Sequence, residues 1–228
     1  MRILAIETIE MTGSVCTLVD DRVLAERRLD AGQRSAQSLA PGIAAVLDAS
    51  GWLPSEVELV AVATGPGSFT GLRIGVTTAK TLAYAIGCEA IGVHTFAAVA
   101  AQAPADVARV TTVLDAQRNE LYVADFHRSP QGAMLGEETT RIVRAADWLA
   151  SLTPGTTVSG SGLTKLLGRL PEGVRVVEAS LWSPVAATIG KLGWRAFSGG
   201  RRDPVFDLMP AYFRRTAAEE QWDRKHSG

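Results

Sequence analysis

The segment Gly65-Pro66-Gly67-Ser68-Phe69-Thr70-Gly71-Leu72-Arg73-Ile74-Gly75 constrains this chain more than any other. It follows residues 58–63, a β-branched apolar run of the kind buried inside a parallel sheet. It precedes a long helical stretch over 71–87, and residues 90–93 supply a further strand after that. A strand, a glycine-rich turn, a helix and a second strand make a parallel crossover, which places the chain among α/β folds. The turn is not a P-loop, because no Lys-Ser or Lys-Thr follows Gly71. Its G-x-G-x-x-x-G spacing also departs from the dinucleotide fingerprint. Ser68 has Pro66 and Thr70 where a nucleophile elbow requires glycines. What remains is a helix entrance whose backbone N–H groups can meet an anion, or a turn whose glycines serve ordinary packing.

The rest of the chain states one plan twice. Residues 2–7 form an apolar run ending in Glu7, and 13–20 and 23–29 follow as returning strands across the turns at 8–12 and Asp20-Asp21. Residues 38–49 carry Leu39, Ile43, Val46 and Leu47 at helical spacing, and Gly51 ends that helix. Thr95 is placed to cap a helix over 96–103. After Pro104 the plan restarts. Residues 109–115 read as a strand ending in Asp115, 116–119 as a turn and 120–126 as the returning strand. A strand near 134–143, a helix near 145–152 and a strand at 156–158 follow, and Gly160-Ser161-Gly162 leads into a helix up to Leu170. The last helix spans about 184–197, and the charged, proline-containing tail beyond Gly199 reads as a surface segment. The expected organisation is a first lobe over 1–104 and a smaller second lobe over 105–228, which includes the C-terminal helix and tail.

Composition removes several classes of function. The chain has 228 residues with 23 Lys and Arg against 24 Asp and Glu, a formal net charge of -1. Such a balance provides neither a basic nucleic-acid groove nor a polybasic membrane patch. Cys16 and Cys88 are the only cysteines and form no C-x-x-C, so they read as small buried hydrophobes. The longest uncharged stretch, 148–164, contains Pro154 and three glycines and does not span a bilayer. Met1-Arg2 leads into only four apolar residues before Glu7, which is no secretory leader, and the expected location is the cytoplasm.

Catalytic signals are sparse. His94, His127 and His226 are too scattered for a metal site, no H-x-x-x-H occurs, and His94 reads as structural. On the helix after the turn, Gly71, Gly75, Ala79 and Ala83 recur every four residues and leave one face nearly free of side chains. That face can pack on the protein's own sheet or receive a helix from another subunit. Arg73 and Lys80 flank it and can meet a phosphate, a partner carboxylate or only solvent.

At residues 65–75 the sequence resembles the bacterial TsaB (YeaZ) family of tRNA threonylcarbamoyladenosine biosynthesis proteins. The resemblance extends over nearly the whole chain, through Ile3-Leu4-Ala5-Ile6-Glu7-Thr8, Asp115-Ala116-Gln117-Arg118-Asn119-Glu120-Leu121-Tyr122 and Pro210-Ala211-Tyr212-Phe213-Arg214. It implies an actin-like, two-lobed fold of the kind shared with sugar kinases and Hsp70, with duplicated mixed sheets and a reduced second lobe. It also implies a non-catalytic subunit that pairs with and activates TsaD, the paralogue that transfers threonylcarbamoyl to the adenosine beside the tRNA anticodon. TsaE, an ATPase, joins that complex, so ATP enters at the level of the assembly, and this chain needs no cofactor or metal of its own. Contact with tRNA is expected only indirectly; in the partner's absence the sequence leaves both a homodimer and a monomer open, an exposed apolar helix face being compatible with the former. The family's contact uses the first two helices, here 38–49 and 71–87, which makes Leu39, Ile43, Leu72, Arg73, Gly75, Val76, Ala79, Lys80 and Ala83 the candidate interface residues. Glu7, Thr8, Gly65, Gly67, Ser68, Asp115, Gly160 and Gly162 are candidate remnants of nucleotide or phosphate loops. Gln33-Arg34-Ser35 departs from the His-Ser-Glu of many relatives. The alternative is an actin-like ATPase or small-molecule kinase. A peptidase reading lacks both a metal site and a nucleophile–base pair at recognisable spacing.

Overall fold

A computed structural model of the chain describes residues 1–10, 12–30, 35–136, 139–214 and 222. The first strand, β1 (Arg2–Glu7), is apolar on both faces because both are covered. Leu4 and Ile6 join one core layer, and Ile3 and Ala5 join another. β2 (Ser14–Val19) and β3 (Arg22–Arg28) return antiparallel, and α1 (Ser35–Ala49) follows. β4 (Leu59–Gly65), α2 (Phe69–Ile86) and β5 (Glu89–His94) form the expected crossover, with both strands parallel to β1. Ser68 caps α2 by accepting from Gly71 N at 3.2 Å, and Gly87, at φ 77°, ends it in the left-handed conformation.

The chain then passes through α3 (Thr95–Ala101) into a second sheet made of β6 (Arg109–Asp115), β7 (Glu120–Arg128), β8 (Met134–Gly136), β9 (Arg141–Arg144), β10 (Thr157–Ser159) and β11 (Arg175–Val176). α4 (Ala145–Ser151) lies between β9 and β10. The strand order of the first sheet is β3-β2-β1-β4-β5, and the second repeats it as β8-β7-β6-β10-β11, with β9 also pairing β7. The parallel and antiparallel relations match pair for pair. This is the duplicated, actin-like plan, with β8, β10 and β11 of the second copy shorter than their counterparts.

α1 and α2 cover one face of the first sheet through Leu39, Ile43, Val46, Val76 and Ala79. The other face is covered by α5 (Ala186–Ser198), whose Ala186, Ile189 and Phe197 pack with Ile3, Leu18, Leu59 and Ile91. The C-terminal helix therefore belongs to the first sheet, which corrects the assignment to the second lobe. Its inward face is small enough to lie flat on the strands, and a Cβ on Gly193 would sit 2.7 Å from Ala61 Cβ. α3 packs on β6, β7 and β8 and touches α5, so these two helices fill the layer between the sheets.

Three local expectations are also revised. Thr95 opens α3 as its first helical residue; its hydroxyl is buried without a partner among the described residues. Residues after Gly160 form two short 3-10 turns, Ser161–Lys165 and Leu167–Arg169, because Leu166 at φ -117° interrupts the helical hydrogen-bond ladder. The tail beyond Gly199 is partly packed, since Leu208 is buried in the first core and Ala211 N donates to Thr64 O at 2.7 Å. Cys16 is buried, its thiol pushed up to about 12 by desolvation, and Cys88 is half-buried and raised for the same reason. Among the described residues, no helix is long and apolar enough to cross a membrane.

Candidate functional site

Most of the residues expected to meet a partner lie inside the protein. Leu39, Ile43, Leu72, Val76, Ala79 and Ala83 are between 0 and 7% exposed, and Gly75 is buried with them. The face marked by Gly71, Gly75, Ala79 and Ala83 rests on the β1–β2 turn and β4. A Cβ on Gly71 would overlap Thr8 O, and one on Gly75 would overlap Thr8 Oγ1. Thr8 Oγ1 itself donates to Gly71 O at 2.7 Å. The small-residue spacing lets the turn close onto the helix, and the expectation that this face is a docking surface is corrected.

The same two helices turn a different set of residues outward. On α1 these are Gln37, Ala40, Pro41, Ala44 and Asp48; on α2 they are Thr70, Arg73, Thr77, Thr81, Tyr84 and Ala85. A solvated helix face is usually carried by long charged residues, whereas here Arg73 and Asp48 are nearly the only charges among alanines and threonines. The signal for this face is present in the sequence, displaced half a turn from the glycine stripe.

Arg73 and Lys80 are held by the chain's own C-terminal segment. The Arg73 guanidinium lies 4.0 Å from the Phe69 ring centroid, and its Nε donates to the Tyr212 hydroxyl at 3.0 Å. Phe69 and Tyr212 rings pack at 4.8 Å. Lys80 Nζ donates to Phe206 O at 2.8 Å, and the Tyr84 and Phe206 rings meet edge to face at 5.7 Å. Nothing in the spacing of a tail more than a hundred residues downstream marks these contacts.

The candidate loop residues gather between the lobes but make no phosphate cradle. Glu7, at the end of β1, is fully buried. Its Oε1 accepts from Ile9 N at 2.5 Å and Glu10 N at 3.3 Å, while Oε2 is buried without a partner among the described residues. Desolvation pushes this carboxyl up to about 8, so it holds its proton near neutrality. Glu10, also raised by burial, accepts from Ser161 Oγ at 2.8 Å, which joins the two lobes. Asp115 accepts from Gln117 N and from Lys165 Nζ, each at 2.7 Å. Gly67 sits against Ile9, Gly65 lies beneath Ala211 O, and Gly160 and Gly162 lie against Val113 and Leu114, so these glycines serve packing. The β6–β7 turn carries the bulky Gln117, Arg118 and Asn119, all at positive φ. These residues do not fit a nucleoside triphosphate. Ser161 is committed to Glu10 and Asp115 to Lys165.

His94 is a packing residue. Its ring contacts Phe96 and Phe213, and Thr140 Oγ1 lies 3.2 Å from Nε2. Among the described residues, no group of three His, Cys, Asp or Glu is placed to hold a metal ion. His226 and Gln33-Arg34 lie outside the described residues.

Comparison with known proteins places this geometry. Residues 29–156 match the family model of TsaD, tRNA N6-adenosine threonylcarbamoyltransferase. The tRNA threonylcarbamoyladenosine biosynthesis protein TsaB of Escherichia coli is 29% identical over 225 residues, covering 96% of each chain. The protein of the same name from Bacillus subtilis is 31% identical over 152 residues, 67% of this chain and 66% of that one. YeaZ from Pseudomonas aeruginosa superposes with a TM-score of 0.80 at 25% identity, over 93% of this chain and 99% of that one. The matched model is shared with the transferase, whereas the likeness along the full length is to TsaB and YeaZ proteins. With its duplicated sheets and internally committed cleft, the chain belongs to the TsaB (YeaZ) family.

Proposed function

We propose that this chain is a non-catalytic subunit in tRNA threonylcarbamoyladenosine biosynthesis, working in the cytoplasm, and that it binds and activates TsaD. The observation that carries this reading is the outward face of α1 and α2, where Ala40, Pro41, Ala44, Thr77 and Thr81 leave a smooth two-helix surface. Small side chains there allow a partner helix to approach to about 8–10 Å between axes. Tyr84, 72% exposed, and Arg73 at its edge are the residue types that dominate binding energy at interfaces. The cleft supports the same reading, because its carboxylates are buried or paired with the protein's own groups. TsaE and ATP enter through the larger assembly, and a second copy of this chain can take the same face when TsaD is absent. A net charge of -1 gives tRNA little independent hold on this subunit.

The test is light scattering and calorimetry of the chain mixed with TsaD from the same organism. A heterodimer is expected, weakened about 10–100-fold by Ala44→Glu or Thr77→Glu, with thermal unfolding unchanged because both positions are exposed. No association, or association indifferent to both substitutions, overturns the reading.

A further inference from the structure

Residues 201–214 run as a strap from α5 across the first lobe to the second. Asp203 accepts from Gly92 N at 2.9 Å, Leu208 is buried in the core under α1 and α2, and Ala211 N reaches Thr64 O. Tyr212 then packs on Phe69 and receives a hydrogen bond from Arg73 at the start of α2. Phe213 sits between His94 of the first lobe and Tyr122 of the second, with ring centroids at 5.9 and 6.3 Å. Arg214 donates to Ala116 O and pairs with the Glu120 carboxylate. Ala116 and Glu120 flank the β6–β7 turn.

That turn is strained. Gln117, Arg118 and Asn119 have φ of 64°, 55° and 61°, three left-handed residues in succession, none of them glycine. Left-handed backbone is costly for each side chain that carries a Cβ, and such conformations persist only where the surroundings impose them. Asp115 accepts from Gln117 N, Gln117 O from Glu120 N at 3.0 Å, Glu120 O from Ala116 N at 3.0 Å, and Asn119 O from Ala145 N at 2.9 Å; Arg214 clasps both ends.

We infer that the strap is a latch: Arg214 holds the β6–β7 turn in its left-handed form, and Tyr212, two residues earlier, ties that hold to the N-terminal end of α2. The outward helix of the first lobe and the strained turn of the second thereby form one coupled unit. This inference goes beyond the partner-subunit reading and stands whether or not α1 and α2 bind a partner. The latch has two states, strap docked with the turn left-handed, and strap released with the turn relaxed.

Hydrogen exchange on the full-length chain tests it, with the amides of Glu120 and Ala145 as reporters, since both donate to carbonyls of the turn. Arg214→Ala should speed their exchange about tenfold. Glu120→Gln, which keeps the side-chain shape, should do so by a smaller factor. Arg73→Ala, which removes the tie between Tyr212 and α2, should speed it a few-fold. Gln117→Gly with Asn119→Gly in the Arg214→Ala background should restore protection, because glycine adopts the left-handed region without a Cβ clash. Unfolding in urea checks that each variant is folded at the start. Unchanged exchange in Arg214→Ala and Glu120→Gln overturns the latch. A turn indifferent to Arg73→Ala overturns the coupling, and failure of the glycine pair to restore protection overturns the role of strain.

Discussion

Glu7 occupies the end of β1, where its burial, with no partner for Oε2 among the described residues, has a consequence for stability. Below pH 4.5, the ordinary carboxyl value, both the folded and unfolded chains hold the proton, and Glu7 contributes no pH dependence. Between there and about 8 the unfolded chain ionises while the folded one does not, so stability falls with rising pH, by at most about 1.4 kcal/mol per unit. Glu7→Gln should therefore gain stability relative to the parent between pH 5 and 8, by up to about 4 kcal/mol in urea titrations. A difference that stays flat over that range would show that Glu7 titrates normally. Gly71 offers a second check. Alanine there gains about 1 kcal/mol of helix propensity. Its Cβ would nevertheless overlap the Thr8 carbonyl, which is backbone and cannot swing away. We expect a net loss of about 2 kcal/mol for Gly71→Ala by thermal unfolding, in the range of overpacked cores. The glycine spacing itself was legible in the sequence. Its direction was not, because a small-residue face reports only that something comes close, and here the close neighbour is a turn sixty residues earlier in the chain.

At the scale of elements, apolar runs and turn residues identified nearly every strand, and the crossover through residues 65–75 was evident from its flanks. The weaker readings share a cause. The helix at 186–198 has a strongly apolar face, but periodicity says only that a face is buried and not which sheet buries it; the first sheet won because its inner face was still uncovered. Ile189 is fully buried between that helix and the sheet, so Ile189→Ala should cost about 2–5 kcal/mol and lower the midpoint of a single cooperative transition. Two separate transitions would instead mean that α5 is dispensable to the first lobe. The outward face of α1 and α2 behaves oppositely. Because few charges lie on it, association through it should depend only weakly on ionic strength between about 0.05 and 0.5 M, as screening acts on charge pairs and not on apolar contact. A steep salt dependence measured by calorimetry would move the contact to a charged part of the surface.

Across the whole molecule the repeat was visible as two strand–turn–strand openings, each ending its first strand in an acid, although the two copies share little sequence. What the repeat concealed is that the chain is not laid out as one lobe followed by another. It builds the first sheet, passes through α3 to build the second, and returns through α5 and the strap to finish the first. The inner face of β1, β4 and β5 is closed by Ala186, Ile189 and Phe197, and the outer core receives Leu208. On a ribosome adding roughly 5–20 residues per second, the first sheet therefore waits about 5–20 s between its last strand and the helix that covers it. Over that interval a chain carrying residues 1–104 presents Ile3, Ala5, Leu59, Ala61 and Ile91 on an open apolar face, a substrate for chaperones and for self-association. A fragment ending at residue 104 should accordingly be recovered in aggregates, while supplying residues 184–214 in trans should draw it back into the supernatant. The first half of this chain is made before the helix that seals it.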